Sequence, residues 1–415
     1  MNAIFKSAAA TLAIVAASAS AQPDTTVKVA WLDAMSGPMA GVGLNSLRTF
    51  QYTAKLANED GWAGSTRFEI VPFDNKLSAQ ESLGLLNSIA SQNIRYLVQG
   101  ASSSAVGVAL LGAIDKHNSR NPGKEIVYVN YTAQAPVMTN AQCSFWHFRV
   151  DANSDMKIAA MASRIASQPA IKKVYLLNPD YAYGQEVSKA ARDMLGKKRA
   201  DIQIVGDDFH ALGQVRDFAP YIAKIKRSGA DTVITADFGA DLALIVRAAR
   251  DAGLGVDFYT LNANNFGVPK ALGAAGEGRV KLVSVFSPNA PALAASPLLA
   301  DFKKQFNEDL SMTQAYSAMS MLAQAVRETR SIDPMKVAAR MEGMRFQGLN
   351  APISMRKSDH QSQQPIYLLS WEKVDGKTVV RDEESTGLGW RQEAVIDAAD
   401  AELPTTCRMK RPAGG

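Results

Sequence analysis

Short apolar strands and amphipathic helices alternate along this chain in two successive series. The first series predicts strands at TVKVAWL (26–32), RFEIVPF (67–73), IRYLVQG (94–100) and EIVYVN (125–130), separated by helices at 43–58, 78–91 and 104–118. The second series starts near residue 150 and predicts strands at KKVYLLN (172–178), IQIVGDD (202–208), DTVITAD (231–237) and GVDFYTLN (255–262), with helices at 184–195, 217–227 and 241–253. Ser78, followed by Glu81 three residues later, is a capping box at the start of a helix.

Strands that alternate with helices of about 10–15 residues form parallel sheets covered by helices on both faces. The two series therefore predict an α/β fold with two doubly wound parallel-sheet lobes. No low-complexity linker separates the series, so we expect short hinge crossovers between the lobes. Residues 296–345 are predicted to be mostly helical, and short strands follow, including ISMR (353–356) and QPIYLLSWEKV (364–374).

The first 21 residues have the pattern of a secretory signal peptide. Lys6 precedes an uncharged apolar run, and Ala19-Ser20-Ala21 offers the small residues of a cleavage site. A buried N-terminal helix is the alternative, but the apolar run ends where the cleavage pattern lies. No later stretch reaches the roughly 18 uninterrupted apolar residues that a membrane span needs. We therefore expect an exported and soluble mature protein.

Export makes the two cysteines informative, because disulfides persist in oxidising compartments. Cys143 and Cys407 are far apart in sequence, and an even pair most simply forms one disulfide. Such a bridge ties the C-terminal tail to the body, and the polar tail after about residue 395 lacks apolar surface with which to dock itself. Two free buried thiols are the alternative.

Several classes of function leave no signature in the sequence. The 45 basic and 40 acidic residues give a net charge of +5 without a basic cluster, so we expect no nucleic-acid partner. The four histidines (117, 147, 210 and 360) have no metal-binding spacing, and we predict neither a metal nor a cofactor. The G-x-S-x-G, P-loop and dinucleotide-binding motifs are absent, which argues against an enzyme.

Polar residues follow the predicted strands at the positions where open parallel sheets bind ligands. After the strand IRYLVQG comes GASSSAVG, in which three serines precede a helix. Hydroxyl groups and free backbone amides at a helix N-terminus bind a carboxylate or a phosphate. Simple helix capping, which needs one serine, is the alternative. The segments NYTAQAP, NPDYAYG, ADFGADL and LNANNFG occupy equivalent strand ends.

Four segments resemble the periplasmic leucine/isoleucine/valine-binding protein family, in the same order over roughly residues 26–370. They are VKVAWLDAMSGPMAGVG, FDNKLSAQESLGLLNSIASQNIRYLVQGASSSAV, YLLNPDYAYGQE and ADFGADLALIVRAARDAGL. The resemblance implies a type I clamshell, in which three crossovers join two lobes and the ligand lies between them. It divides the chain into a signal peptide (1–21), a first lobe (22–147 plus about 290–350), a second lobe (148–289 plus about 351–390) and a tail (391–415).

The resemblance also implies which residues bind the ligand. The family's carboxylate-binding serine falls on Ser103, with Ser102 and Ser104 beside it, and the Thr/Ala pair after the next strand falls on the stretch Thr132-Ala133-Gln134. The family's tyrosine before a glycine falls on Tyr183, and its aromatic residue after a second-lobe strand falls on Phe238. The acid that binds the ligand's ammonium falls on Asn262.

Two of these matches depart from the family pattern. Val42 stands where the family has an aromatic lid residue, and Asn262 stands where it has the acid. A neutral amide cannot pair with an ammonium as a carboxylate does. We therefore expect a small carboxylate ligand whose far end is apolar or hydrogen-bonding, rather than a zwitterionic amino acid. An amino acid remains the alternative if Asp237 or another acid from a loop takes over the role.

The resemblance implies a monomeric solute-binding protein of the periplasm, which delivers a small carboxylate or an amino acid to an ABC permease in the inner membrane. A ligand-sensing module for a receptor is the alternative, because it shares the fold and the pocket. A sensor usually carries or contacts a signalling domain, and the sequence shows none. An enzyme, the third class, would turn its ligand over.

Overall fold

The computed structural model describes residues 25–412 except positions 102 and 295. The predicted signal peptide (1–21) lies outside these residues. Among the helices that are described, none is long and apolar enough to cross a bilayer.

The first lobe is built on a parallel sheet. Its elements are β1 (Thr25–Asp33), α1 (Ala40–Glu59), β2 (Thr66–Asp74), α2 (Ala79–Ser91), β3 (Tyr96–Gln99), α3 (Ser104–Arg120), β4 (Val127–Asn130) and β5 (His147–Arg149). In the described part of the chain the sheet has five strands in the order β2-β1-β3-β4-β5, all paired in parallel. Ser78 caps α2 as predicted, since its hydroxyl oxygen accepts a hydrogen bond from the Glu81 N–H at 3.2 Å.

The second series of strands and helices forms the second lobe. Its elements are α4 (Ser154–Ala166), β6 (Lys173–Pro179), α5 (Ala182–Lys198), β7 (Gln203–His210), α6 (Ala219–Ser228), β8 (Thr232–Thr235), α7 (Gly239–Asp251), β9 (Asp257–Thr260), α8 (Val268–Leu272) and β10 (Val280–Ser284). Successive residues of β6 enter different cores: Leu176 packs on one face of the sheet and Leu177 on the other. Helices therefore cover both faces, which confirms the doubly wound arrangement.

The chain next returns to the first lobe. The returning elements are α9 (Pro291–Ala294), α10 (Pro297–Phe306), α11 (Gln314–Thr329), α12 (Pro334–Met341), β11 (Arg345–Gln347), β12 (Pro352–Met355) and β13 (Ser362–Gln363). Leu322 of α11 and Val337 of α12 lie in the same core as Phe50 of α1. Ile353 and Met355 of β12 also lie in that core, so the return to the second lobe follows β13 and not residue 351 as expected.

The last two strands, β14 (Ile366–Lys373) and β15 (Leu388–Ile396), complete the second sheet. Over the described residues this sheet has seven strands in the order β15-β14-β10-β9-β8-β6-β7. β14 pairs antiparallel with β10 and with β15, so the expectation of a parallel sheet is corrected at this edge. The expected boundary of the tail at 391 is also corrected, because β15 continues to Ile396.

Two of the crossovers between the lobes, after β5 and after β13, lie side by side and are joined by hydrogen bonds. The side-chain amide of Gln364 donates to the Val150 carbonyl at 2.8 Å, and that of Gln361 donates to the Asp151 carbonyl at 2.7 Å. Asn350, in the first-lobe loop between β11 and β12, donates to the carbonyl of Ser287 on the returning crossover at 3.2 Å. Short neighbouring crossovers of this kind are the usual structure of a hinge.

Cys143 and Cys407 form a disulfide, as predicted, with an S–S distance of 1.99 Å and a Cα–Cα distance of 5.6 Å. The segment before Cys407 also contacts the body directly. Leu403 packs against the second-lobe core, and the Thr405 hydroxyl donates to the Thr139 carbonyl at 3.0 Å. The expectation that the tail lacks docking surface is therefore corrected.

Candidate functional site

A cavity of about 70 Å³ lies between the two lobes, where the carboxyl ends of the strands of both sheets meet. Its walls contain the predicted residues Ser103, Ser104, Thr132, Gln134, Tyr183, Phe238 and Asn262, together with Ala133. Ser102 lies outside the described residues. Val42 is buried behind the wall in a small apolar cluster with Met39 and Met312, whose side chains do line the cavity.

The serine turn is held at the N-terminus of α3. Ser103 is the N-cap of this helix, and its hydroxyl oxygen accepts a hydrogen bond from the Val106 N–H at 3.3 Å. The hydroxyl oxygen of Ser104 accepts from the Ala135 N–H at 3.1 Å. Capping therefore accounts for the bond of Ser103, and the bond of Ser104 ties the helix start to the loop after β4. Both residues line the cavity at the positive end of a helix dipole.

Asp33, which was not predicted as a site residue, holds the serine turn in place through hydrogen bonds. It ends β1 and is fully buried. One of its carboxylate oxygens accepts hydrogen bonds from the backbone N–H groups of Gly100 and Ala101, at 3.0 and 3.1 Å, and from the Tyr131 hydroxyl. A Cβ at Gly100 would lie 2.4 Å from the backbone N of Thr132, so only glycine lets the two strand-end loops approach this closely.

Three neutral side chains meet across the cleft. The side-chain N–H of Asn262 donates to the Tyr183 hydroxyl at 3.1 Å, and the side-chain N–H of Gln134 donates to the Asn262 Oδ1 at 3.3 Å. Burial raises the pKa of Tyr183, the hydrogen bond from Asn262 opposes this, and the charge of Asp151 adds to the rise, so the hydroxyl stays protonated. Gln134 comes from the first lobe and the other two from the second, so this network connects the two lobes.

The charged groups of the cavity wall are residues that sequence reasoning misses. Asp151, on the crossover after β5, and Lys157, on α4, form a buried ion pair at 2.8 Å. Asp237, the acid considered as a substitute for Asn262, accepts hydrogen bonds from His210 at 2.9 Å and from Thr235 at 2.8 Å instead. The spacing of Asp151 and Lys157 carries no recognisable motif, because a loop and a helix bring them together.

His210, Asp237 and Asp241 form a buried cluster beside the site, with potential ligand atoms within 4.8 Å of one another. Hydrogen bonds within the cluster account for this proximity, since His210 Nε2 bonds both carboxylate oxygens of Asp237. Burial lowers the pKa of His210, but the hydrogen bond and charge of Asp237, helped by the Ala211 carbonyl and by Asp241, outweigh it and raise the pKa above its usual range.

This raised pKa predicts a pH-dependent contribution to stability. His210 is protonated more readily in the folded state than in the unfolded state, so its stabilisation is complete below about pH 6.5 and is lost as pH rises through the folded-state pKa. His210→Gln should therefore lower the free energy of unfolding more at pH 6 than at pH 9. Urea denaturation of both proteins at the two pH values tests this, and an equal loss at both contradicts it.

The sequence matches the family model described as "Periplasmic binding protein" over residues 26–377. It is 28% identical over 406 residues to Leu/Ile/Val-binding protein homolog 4 of Brucella abortus (strain 2308), covering 96% of this chain and 95% of that protein. The fold is similar to that of the leucine-, isoleucine-, valine-, threonine- and alanine-binding protein from Brucella ovis in its closed conformation. The TM-score is 0.83 at 26% identity, covering 94% of this chain and all (100%) of that one.

A solved structure of lower sequence identity has the same fold. It is the solute-binding protein of an ABC transporter from Rhodopseudomonas palustris BisB5, solved in complex with 3,4-dihydroxybenzoic acid. The TM-score is 0.77 at 19% identity, covering 90% of this chain and 98% of that one. These similarities extend over both lobes.

Proposed function

The chain belongs to the periplasmic binding protein family, and from this premise we propose that it captures a small carboxylate between its lobes and delivers it to an ABC importer. The observation that carries the proposal is the cavity between the lobes, where neutral donors at the N-terminus of α3 face an amide and aromatic wall. A helix N-terminus with adjacent hydroxyls and backbone amides is suited to one negative charge. Export to the periplasm and action as a monomer belong to the same proposal.

The cavity walls favour a carboxylate without an ammonium group. Asn262 offers an amide where the family's acid would bind an ammonium, and Asp237 is engaged by His210 and Thr235. Burying an unpaired ammonium costs several kcal/mol. The side-chain amide oxygen of Gln314 is buried at the cavity without a hydrogen-bond partner among the described residues, and a hydroxyl at the far end of the ligand would satisfy it. Phe238 and Met312 supply apolar surface for the ligand's body.

A branched-chain or other amino acid is the alternative ligand. The relatives that are 28% and 26% identical carry leucine, isoleucine and valine in their names. A ligand-sensing module for a receptor is the alternative function, since the same closure would present a changed surface to a signalling partner. The relatives are solute-binding proteins, which supports binding without turnover.

Calorimetric titration with matched pairs decides between the two ligand classes. The purified protein, unfolded and refolded to release endogenous ligand, is first screened for thermal shifts against amino acids and small organic acids. A ligand at a hundredfold excess over its Kd stabilises the fold by roughly 2.7 kcal/mol. We expect the deaminated carboxylates to bind and the parent amino acids to bind more weakly. Tight binding of leucine or valine alone contradicts the carboxylate proposal, and consumption of the ligand contradicts binding without turnover.

Thr132→Val tests the placement of the carboxylate. Valine keeps the shape of the side chain but removes the hydroxyl, and a hydrogen bond to a charged group contributes about 1.5–3 kcal/mol. We expect the affinity for the best carboxylate of the screen to fall at least tenfold, as measured by calorimetry. Thr405→Val is the control, because its hydroxyl bonds the Thr139 carbonyl away from the cavity. Equal affinities of Thr132→Val and the parent protein contradict the placement.

A further inference from the structure

Asp151 and Lys157 are the charged side chains in the cavity wall over the described residues. They are almost fully buried, with 1% and 4% of their side-chain surfaces exposed, and the Lys157 ammonium lies 2.8 Å from a carboxylate oxygen of Asp151. The other carboxylate oxygen accepts a hydrogen bond from the Ala152 N–H at 2.8 Å. The Asp151 carbonyl accepts a bond from the Gln361 side chain at 2.7 Å, so the acid is fixed to the hinge.

Stability alone does not account for this pair. Two buried charges lose their hydration, and apolar residues of similar size often give an equally stable or more stable protein. Lys157 also lies in the first turn of α4, where the helix dipole disfavours a cation. Of its three N–H donors, one bonds Asp151, and the described residues show no partner for the others.

The pair lines the same cavity as Asn262, the position at which the family resemblance places the acid that binds an ammonium. Asn262, which stands at the position of the family's acid, donates to the Tyr183 hydroxyl. The charge of Asp151 is near enough to that hydroxyl to raise its pKa further, after the larger effects of burial and of the Asn262 bond. The cavity wall lacks a carboxylate at position 262 but has one at Asp151, which is already paired with a cation of the protein.

We propose that Lys157 is a specificity-determining residue, because its ammonium occupies Asp151 and so excludes the ammonium of a ligand. The inference rests on the proposed function and deepens it by naming the ligand class. The remaining N–H donors of Lys157 require an acceptor, whereas the Asn262 amide already donates to the Tyr183 hydroxyl and to the Ala236 carbonyl. The ligand is thus a carboxylate with an acceptor oxygen in place of the amino group, as in a 2-oxo acid.

Lys157→Met tests the proposal, because methionine keeps an apolar stem and leaves the Asp151 carboxylate without its cation. The probes are leucine with 4-methyl-2-oxopentanoate, and phenylalanine with phenylpyruvate, titrated by calorimetry. We expect the variant to bind at least one of the amino acids at least tenfold more tightly than the parent protein does. Its affinity for the matching 2-oxo acid should fall. Amino-acid affinity that does not rise in the variant overturns the inference, whichever ligand the parent protein takes.

Two further variants serve as controls. Asp151→Asn with Lys157→Met removes both charges, so amino-acid binding should not rise, and a rise would show that Asp151 is not the acceptor. Asp151→Asn alone keeps the ammonium and should retain the preference for 2-oxo acids, which keeps the inference testable if Lys157→Met does not fold. A parent protein that binds no carboxylate defeats the proposed function, whereas carboxylate binding with an unchanged preference in Lys157→Met defeats this inference alone.

Discussion

Replacing both disulfide cysteines with serine is expected to lower the free energy of unfolding by about 4 kcal/mol. Cys143 and Cys407 are separated by 264 residues, so their bond closes a very long loop of the unfolded chain. In the chain-entropy model, the entropy that a cross-link removes from the unfolded state grows with loop length. Urea denaturation of the parent protein and of Cys143→Ser/Cys407→Ser measures the difference.

The docking contacts of the tail provide the comparison for this experiment. Thr405→Ala removes a single hydrogen bond to the Thr139 carbonyl, a change of about 1 kcal/mol, and leaves the disulfide in place. If contacts rather than the cross-link hold the tail, the double serine variant will lose no more stability than Thr405→Ala. A loss below about 1 kcal/mol in the double variant contradicts the prediction.

The sequence was sufficient for the fold class because each predicted strand and helix has its own local pattern. The strands that were not predicted from the sequence lack such a local pattern. β5 contains His147 and Arg149, which are buried although both are polar, so no apolar run marks the strand. β15 begins within a polar, glycine-containing segment and becomes a strand only because β14 offers an edge to pair with. Tertiary context, rather than local preference, decides strands of this kind.

The same distinction applies to the site. The ends of the strands can be located from the sequence. The ligand-binding residues that were predicted at these ends line one cavity, wherever the structure describes them. Asp33 was not singled out, although it directly follows a predicted strand, because its role depends on the backbone of a loop about 67 residues later. Asp151 and Lys157 are six residues apart, yet their pairing depends on how a crossover enters a helix. Roles that depend on the approach of separate loops have no signature in one sequence.

Gly184→Ala is expected to destabilise the second lobe by about 3 kcal/mol and to weaken ligand binding at least tenfold. Gly184 lies in the first turn of α5, beside Tyr183 of the cavity wall. A Cβ at this position would lie 2.0 Å from the Pro179 carbonyl oxygen at the end of β6. Because that oxygen belongs to the backbone of a buried strand, the helix must move away, and the Tyr183 hydroxyl moves with it out of reach of Asn262.

Gly196→Ala is the matched control, because it places the same methyl group on the same helix with nothing within 4 Å of the new Cβ. Alanine is favoured over glycine inside a helix by up to about 1 kcal/mol, so this variant should be slightly more stable than the parent protein and should bind ligand equally well. We therefore expect the same substitution to change the free energy of unfolding in opposite directions at the two positions, as measured by urea denaturation. Calorimetry should find weaker ligand binding for Gly184→Ala only. If Gly184→Ala is as stable as Gly196→Ala, the close approach of α5 to β6 does not position Tyr183.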